Sequence, residues 1–161
     1  MMIHRTPVRI AGALGVAATL LIAAPSAHAA TGDPSWTSAQ KNQWMLEACD
    51  PPGSSAFKFT LYYGGNFQGA YRNMGYSVYN FADENPYPGH PGPYPLQFCL
   101  HVGSGSGQDM KNAAASAKNA HATYIADVYY NSGWKGAVDD ISWGRNLNYT
   151  FNNNASFKWR S

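Results

Sequence analysis

An internal duplication constrains this chain more than any other feature. Residues 61–70 read LYYGGNFQGA and residues 128–137 read VYYNSGWKGA: each carries Tyr-Tyr, three turn-forming residues, an aromatic, a polar residue, Gly and Ala. Each copy is entered through a stretch of period two. Phe57, Phe59, Leu61 and Tyr63 alternate with Lys58, Thr60 and Tyr62, and Tyr124, Ala126, Val128 and Tyr130 alternate with Ile125, Asp127 and Tyr129. That period places the two sets on opposite faces and predicts a half-buried strand in each copy. The ends of the two units correspond as well. Asn112-Ala-Ala-Ala-Ser116 matches Asn152-Asn-Asn-Ala-Ser156, after which Phe157 and Trp159 alternate with Lys158 and Arg160 in a final strand.

The first unit is the longer one, and its surplus lies in ADENPYPGHPGPYPLQFCLHVGSGSG, residues 82–107. The first half is dense in Pro, Gly and Tyr and predicts an exposed loop stiffened by prolines. The second half alternates Leu96, Phe98, Leu100 and Val102 and predicts a strand, with Cys99 on its opposite face. GSGSG at 103–107 predicts a flexible turn. The mature chain thus divides into an extension, 31–56, and one domain, 57–161. Within the domain, motif one is 57–119 with the insertion 82–107, and motif two is 120–161. The extension holds TSAQKNQWMLEA, free of Gly and Pro, which predicts a short helix over 38–48. Cys49-Asp50-Pro51-Pro52-Gly53 ends it.

Ahead of all this, residues 1–30 have the three-part layout of a secretory signal. Arg5 and Arg9 precede an uncharged apolar run from Ile10 to Ala24, followed by Pro25 and the small-residue site Ala27, His28, Ala29. The run is shorter than the roughly 20 residues a membrane span needs, and no second such run follows. The expectation is a secreted, extracellular protein with no membrane span. Removing the leader takes Arg5 and Arg9 away from 11 Lys and Arg while all 9 Asp and Glu remain, so the mature charges cancel. With Lys and Arg scattered singly, nucleic acid and anionic membranes are excluded as partners. Cys49 and Cys99 are the only cysteines, and in an oxidising compartment an even pair predicts one disulfide.

Catalytic patterns fail on inspection. GSGSG puts Gly where a hydrolase elbow needs Ser and lacks the spacing of a dinucleotide loop. His90, His101 and His121 stand apart from one another and from acidic pairs, so no zinc spacing arises. Asp139 and Asp140 are neighbours on a strand and point to opposite faces, as hairpin charges rather than a catalytic pair. The expectation is a protein that is not an enzyme and needs no cofactor. Eleven Tyr and five Trp raise carbohydrate binding, with Tyr87, Tyr94 and Trp143 the ones expected to be exposed, although repeat positions account for most of these rings.

An aromatic, six intervening residues and a glycine, followed later by an Asn- and Ser-rich closing segment, resembles the βγ-crystallin Greek-key motif. Here it runs from Tyr62 to Gly69 and from Tyr129 to Gly136, with Ser116 and Ser156 as the later serines. The resemblance implies an all-β Greek-key sandwich of two tandem motifs, carrying here a short N-terminal helical extension. It implies that the turn folds back over its own sheet with the aromatic beneath it and the serine capping it. More narrowly, KNAAASAKN, VYYNSGWKGA and NNNASFKW, within 111–159, are similar to secreted proteins of the Streptomyces metalloproteinase inhibitor type. That likeness implies a monomeric inhibitor of an extracellular protease, a metalloprotease, acting through a rigid loop. Glu84, Asn85, Pro86, Tyr87, Pro88, His90 and Tyr94 in the insertion are the expected contact residues, with the hairpin tips at 64–66 and 131–133 as rivals. The alternative is a secreted binding module resembling killer-toxin-like crystallin proteins. βγ-Crystallin motifs often bind calcium; Asn152, Asn153 and Ser156 keep part of that pattern, but Phe157 replaces its last hydroxyl, so no metal is expected.

Overall fold

The computed structural model describes residues 37–82 and 95–161. Its elements are a helix, α1 (Ser38–Trp44), and strands β1 (Phe59–Tyr62), β2 (Tyr71–Met74), β3 (Ser116–Asn119), β4 (Ile125–Asn131), β5 (Lys135–Ile141), β6 (Gly144–Asn146) and β7 (Ser156–Arg160). All named pairings are antiparallel, in two sheets ordered β2-β1-β3-β6 and β5-β4-β7. The duplication explains this order. Each unit forms a hairpin, β1 with β2 and β4 with β5, and lays its last strand, β3 or β7, beside the first.

The remaining strand of each unit crosses over. β6 follows β5 in the second unit yet pairs with β3 of the first, and Val78 of the first unit bridges Phe157 on β7 of the second. That bridge is closed both ways, Val78 N–H to Phe157 C=O at 2.8 Å and Phe157 N–H to Val78 C=O at 3.0 Å. Two tandem Greek keys joined by reciprocal exchange form a βγ-crystallin-like sandwich. Its core lies between the sheets, where Phe59 stacks on Phe157 with ring centroids 4.5 Å apart, among Leu61, Met74, Ala117, Val128 and Ile141.

Four local expectations are corrected. β1 is buried along its whole length rather than on one face, because the extension lies over its outer side. There Thr60 Oγ1 donates to Asn73 Oδ1 at 2.7 Å, and Asn73 Nδ2 donates to the carbonyls of Asp50 and Glu47 at 2.7 and 3.3 Å. The helix expected over 38–48 stops at Trp44; Met45 is extended, and a separate 3₁₀ turn spans Leu46–Ala48. Thr37 and Gln40 start it with a reciprocal capping box. Arg72 helps end it: its guanidinium donates to the carbonyls of Asn42 and Gln43 at 2.9 Å, the acceptors that the next helical turn would need.

The third correction concerns residues 96–102, which form no strand. Leu96 and Phe98 are buried as alternation predicts, and Gln97 bridges Asp109, but Leu100 is 65% exposed. At His101 the chain takes a left-handed φ of 60° and turns back, so that Phe98 N–H reaches Gln108 C=O at 2.9 Å. The GSGSG turn is packed rather than free: Ser104 C=O accepts from Ala70 N–H at 2.7 Å. Cys99 is bonded to Cys49, with Cα atoms 5.7 Å apart, tying this segment to the extension. Closing a loop of that length contributes on the order of 4 kcal/mol by limiting the unfolded chain.

Candidate binding site

The two repeated turns are built alike. In the first, Ser116 Oγ donates to Gly64 C=O at 2.6 Å and accepts from Phe67 N–H at 3.0 Å. In the second, Ser156 Oγ donates to Asn131 C=O at 2.7 Å and accepts from Trp134 N–H at 3.1 Å. One buried hydroxyl thus clasps each turn from both ends. Tyr62 meets Phe67 edge to face at 5.7 Å, and Tyr129 lies on β4 with its hydroxyl 3.5 Å from Asp127 Oδ2. Gly69 and Gly136 both take left-handed φ, 76° and 81°, which a side chain at Cβ resists.

The insertion residues Glu84, Asn85, Pro86, Tyr87, Pro88, His90 and Tyr94 lie outside the described residues. The residues that flank the proline-rich first half of the insertion, Phe81 and Leu96, are described. Leu96 N–H donates to Phe81 C=O at 2.8 Å, both side chains are fully buried, and Phe81 N–H donates to Ala155 C=O at 2.8 Å. Entry and exit therefore leave the sandwich side by side from a base fixed in the core.

Asn152 and Asn153 border two shallow depressions related by the duplication. One, about 440 Å³, is lined by Tyr63, Gly64, Gly65, Asn112, Phe151 and Asn152; the other, about 210 Å³, by Lys111, Asn112, Tyr130, Asn131, Ser132 and Asn153. Among the described residues no carboxylate lines either one, and Lys111 brings an ammonium into the second. Calcium takes six to eight oxygen ligands, typically with carboxylates among them. Ser156 lines neither depression, its hydroxyl being held by the turn.

A larger cleft, about 470 Å³, opens where the ends of the chain's segments meet, between Phe57, Lys58, Gly75, Tyr76, His121, Tyr124 and Trp159. Its rings are mutually tilted. Phe57 meets Tyr76 at 90°, and His121 lies at 56° to both Tyr124 and Trp159, with centroids 4.7 and 5.3 Å away. Trp159 is fixed by its own indole N–H, which donates to Gly75 C=O at 3.0 Å. His121 Nδ1 accepts from the N–H groups of Thr123 and Tyr124 at 3.1 and 3.0 Å. Sequence reading passed over this cleft because its members come from distant segments. Tyr124 belongs by period to the inward set of β4, yet just before that strand starts it is 44% exposed. Trp143, one of the rings expected to be exposed, is 70% exposed and lies elsewhere.

Asp139 also departs from expectation. It and Asp140 do face opposite ways, but Asp139 is fully buried rather than a hairpin charge. It accepts from Arg145, from the N–H groups of Asn148 and Thr150 at 3.0 and 2.9 Å, and from Thr150 Oγ1 at 2.8 Å. Asp140 is exposed and pairs with Arg160 at 3.2 Å. Among the described residues no helix is long and apolar enough to cross a membrane, and no group of three or more His, Cys, Asp or Glu is placed to hold a metal ion.

No family model and no curated protein matches the chain. Among solved structures it is similar to the N-terminal domain of protein S, with 20% identity over 65% of this chain and 96% of that one and a TM-score of 0.45. It is similar to a structure on the evolution of the eye lens βγ-crystallin domain fold, with 15% identity, 70% and 90% coverage and a TM-score of 0.43. It is also similar to a clostrillin double mutant in complex with nickel, with 16% identity, 65% and 98% coverage and a TM-score of 0.44. The fold assignment stands on this chain's own strand order and on the exchange through β6 and Val78.

Proposed function

We propose that this chain is a secreted, non-catalytic binding protein that inhibits an extracellular protease, a metalloprotease, by presenting the insertion to the enzyme's cleft. The observation that carries the reading is the buried base formed by Phe81 and Leu96, backed by the Cys49–Cys99 disulfide. A loop whose ends are already held together loses less entropy on docking than a free one, and prolines within it restrict it further. The likeness of 111–159 to metalloproteinase inhibitors supports the choice of target, and Glu84 is the acidic group suited to approach a catalytic zinc.

Titration of a thermolysin-type enzyme with the oxidised protein tests this. Activity is expected to fall in proportion to added protein and to be restored when 84–95 is replaced by a short Gly/Ser turn. Undiminished proteolysis, or rapid cleavage of the protein itself, overturns the reading.

A further inference from the structure

We propose that the cleft between Phe57, Tyr76, His121, Tyr124 and Trp159 binds a β-linked oligosaccharide of gluco configuration. The inference is independent of protease inhibition, since the cleft is built without the insertion. Its volume, about 470 Å³, falls in the range of small-ligand sites. A β-gluco pyranose carries its ring C–H bonds axially, so both sugar faces are apolar while the hydroxyls form an equatorial rim. The cleft offers the complement of that pattern, apolar ring surfaces interleaved with polar tips. Among the described residues none of its ring pairs is face to face, whereas the stacked pair Phe59–Phe157 lies in the core. Phe57 is buried under Gly75 and forms the floor, and Lys41 Nζ lies 5.3 Å over one face of Tyr76, so the open ring surface belongs to Tyr124, to part of Trp159 and to the other face of Tyr76.

The polar tips suit hydroxyls. With Nδ1 of His121 accepting two backbone bonds, the ring proton of the neutral imidazole sits on Nε2 as a donor. Lys58 Nζ donates one hydrogen bond, to Ser55 C=O at 2.7 Å, and carries two further N–H donors. Tyr76 and Tyr124, 36% and 44% exposed, add phenol hydroxyls that both donate and accept.

Charge and backbone argue against other occupants. Among the described residues Lys58 is the sole formally charged side chain lining the cleft, no carboxylate joins it, and Lys41 Nζ already lies over the Tyr76 ring, so a cation that bare rings would attract meets like charges. An extended peptide docking by strand addition would need an open strand edge. The N–H groups of Phe57, Gly75, Tyr76, Tyr124 and Trp159 are already bonded to Ser55 Oγ, Asn42 Oδ1, Asn42 Oδ1, His121 Nδ1 and Ser77 Oγ.

The test is NMR titration of the oxidised full chain with cellohexaose and, separately, chitohexaose, the two arms distinguishing plain from N-acetylated glucose chains. Saturable shifts of the Trp159 indole N–H with at least one of them are expected. Tyr124→Ala, at an exposed ring, is expected to keep the fold and weaken binding about tenfold. Trp143→Ala, outside the cleft, is expected to leave binding unchanged. Absence of shifts at millimolar sugar, shifts that Tyr124→Ala leaves intact, or saturation by an extended peptide but by neither sugar overturns the proposal.

Discussion

Asp127 and Asp139 occupy corresponding chemistry in different ways, and each makes a distinct prediction. Asp139 is a buried acceptor for three donors from residues 148–150 as well as for Arg145, so it shapes the segment after β6. Asp139→Ala leaves those donors without a partner and is expected to cost about 3 kcal/mol, lowering Tm by roughly 10 °C in thermal denaturation. Asp127 is buried beneath Arg160, which donates to its oxygens at 2.7 and 3.1 Å. Burial, aided by nearby Asp140, still holds its carboxyl above the usual range against the pull of Arg160. Between the unfolded value of about 3.9 and the raised folded one, the folded chain keeps a proton that the unfolded chain has released. Its contribution to stability therefore falls as pH rises through that window. Asp127→Asn is expected to remove this slope, as read from Tm across the acid range. The sequence showed Asp127 only as a strand position and Asp139 as a hairpin charge, because their partners come from β7 and from residues 145–150.

The two turns, being copies, allow a controlled comparison of elements. At Gly69 an added Cβ would sit 2.9 Å from Ser104 C=O, a backbone atom; at Gly136 the near atom is Asn131 Nδ2, 2.8 Å away on a side chain that can move. Gly69→Ala is expected to destabilise more than Gly136→Ala, the first by about 2–3 kcal/mol and the second by about 1–2, measured by urea unfolding. The turns were legible from residues because the duplication printed them twice. In residues 96–102, Leu96, Phe98 and Leu100 mimic a strand, while the left-handed turn at His101 and the bond from Ala70 N–H to Ser104 C=O leave no mark on that alternation. The extension was legible as helical but not as a cover, since Asn42 reaches Gly75 and Tyr76 only once β2 is in place. Reducing the disulfide is expected to raise amide exchange first in α1 and the Leu46–Ala48 turn, with β4 and β7 still protected, as hydrogen-exchange mass spectrometry would read.

At the scale of the molecule, exchange of β6 for the Val78 segment makes each unit complete only in the presence of the other. Residues 120–161 expressed alone would leave β6 without β3 and Phe157 without Phe59, and are expected to lack the dispersed amide spectrum of a folded sheet. Pairing of two units was legible from the duplication, but which strand crosses was not, because neither β6 nor Val78 bears a strong alternating pattern. The aromatic cleft is a product of this assembly, gathering 57, 76, 121, 124 and 159 from both units.

The hydrogen bond from Leu96 to Phe81 has a practical corollary. Because it holds together the two backbone positions that flank the proline-rich stretch, both buried in the core, a foreign peptide engineered between Ala82 and Pro95 would start and end on a ready-made clamp, and the scaffold can serve as a display frame.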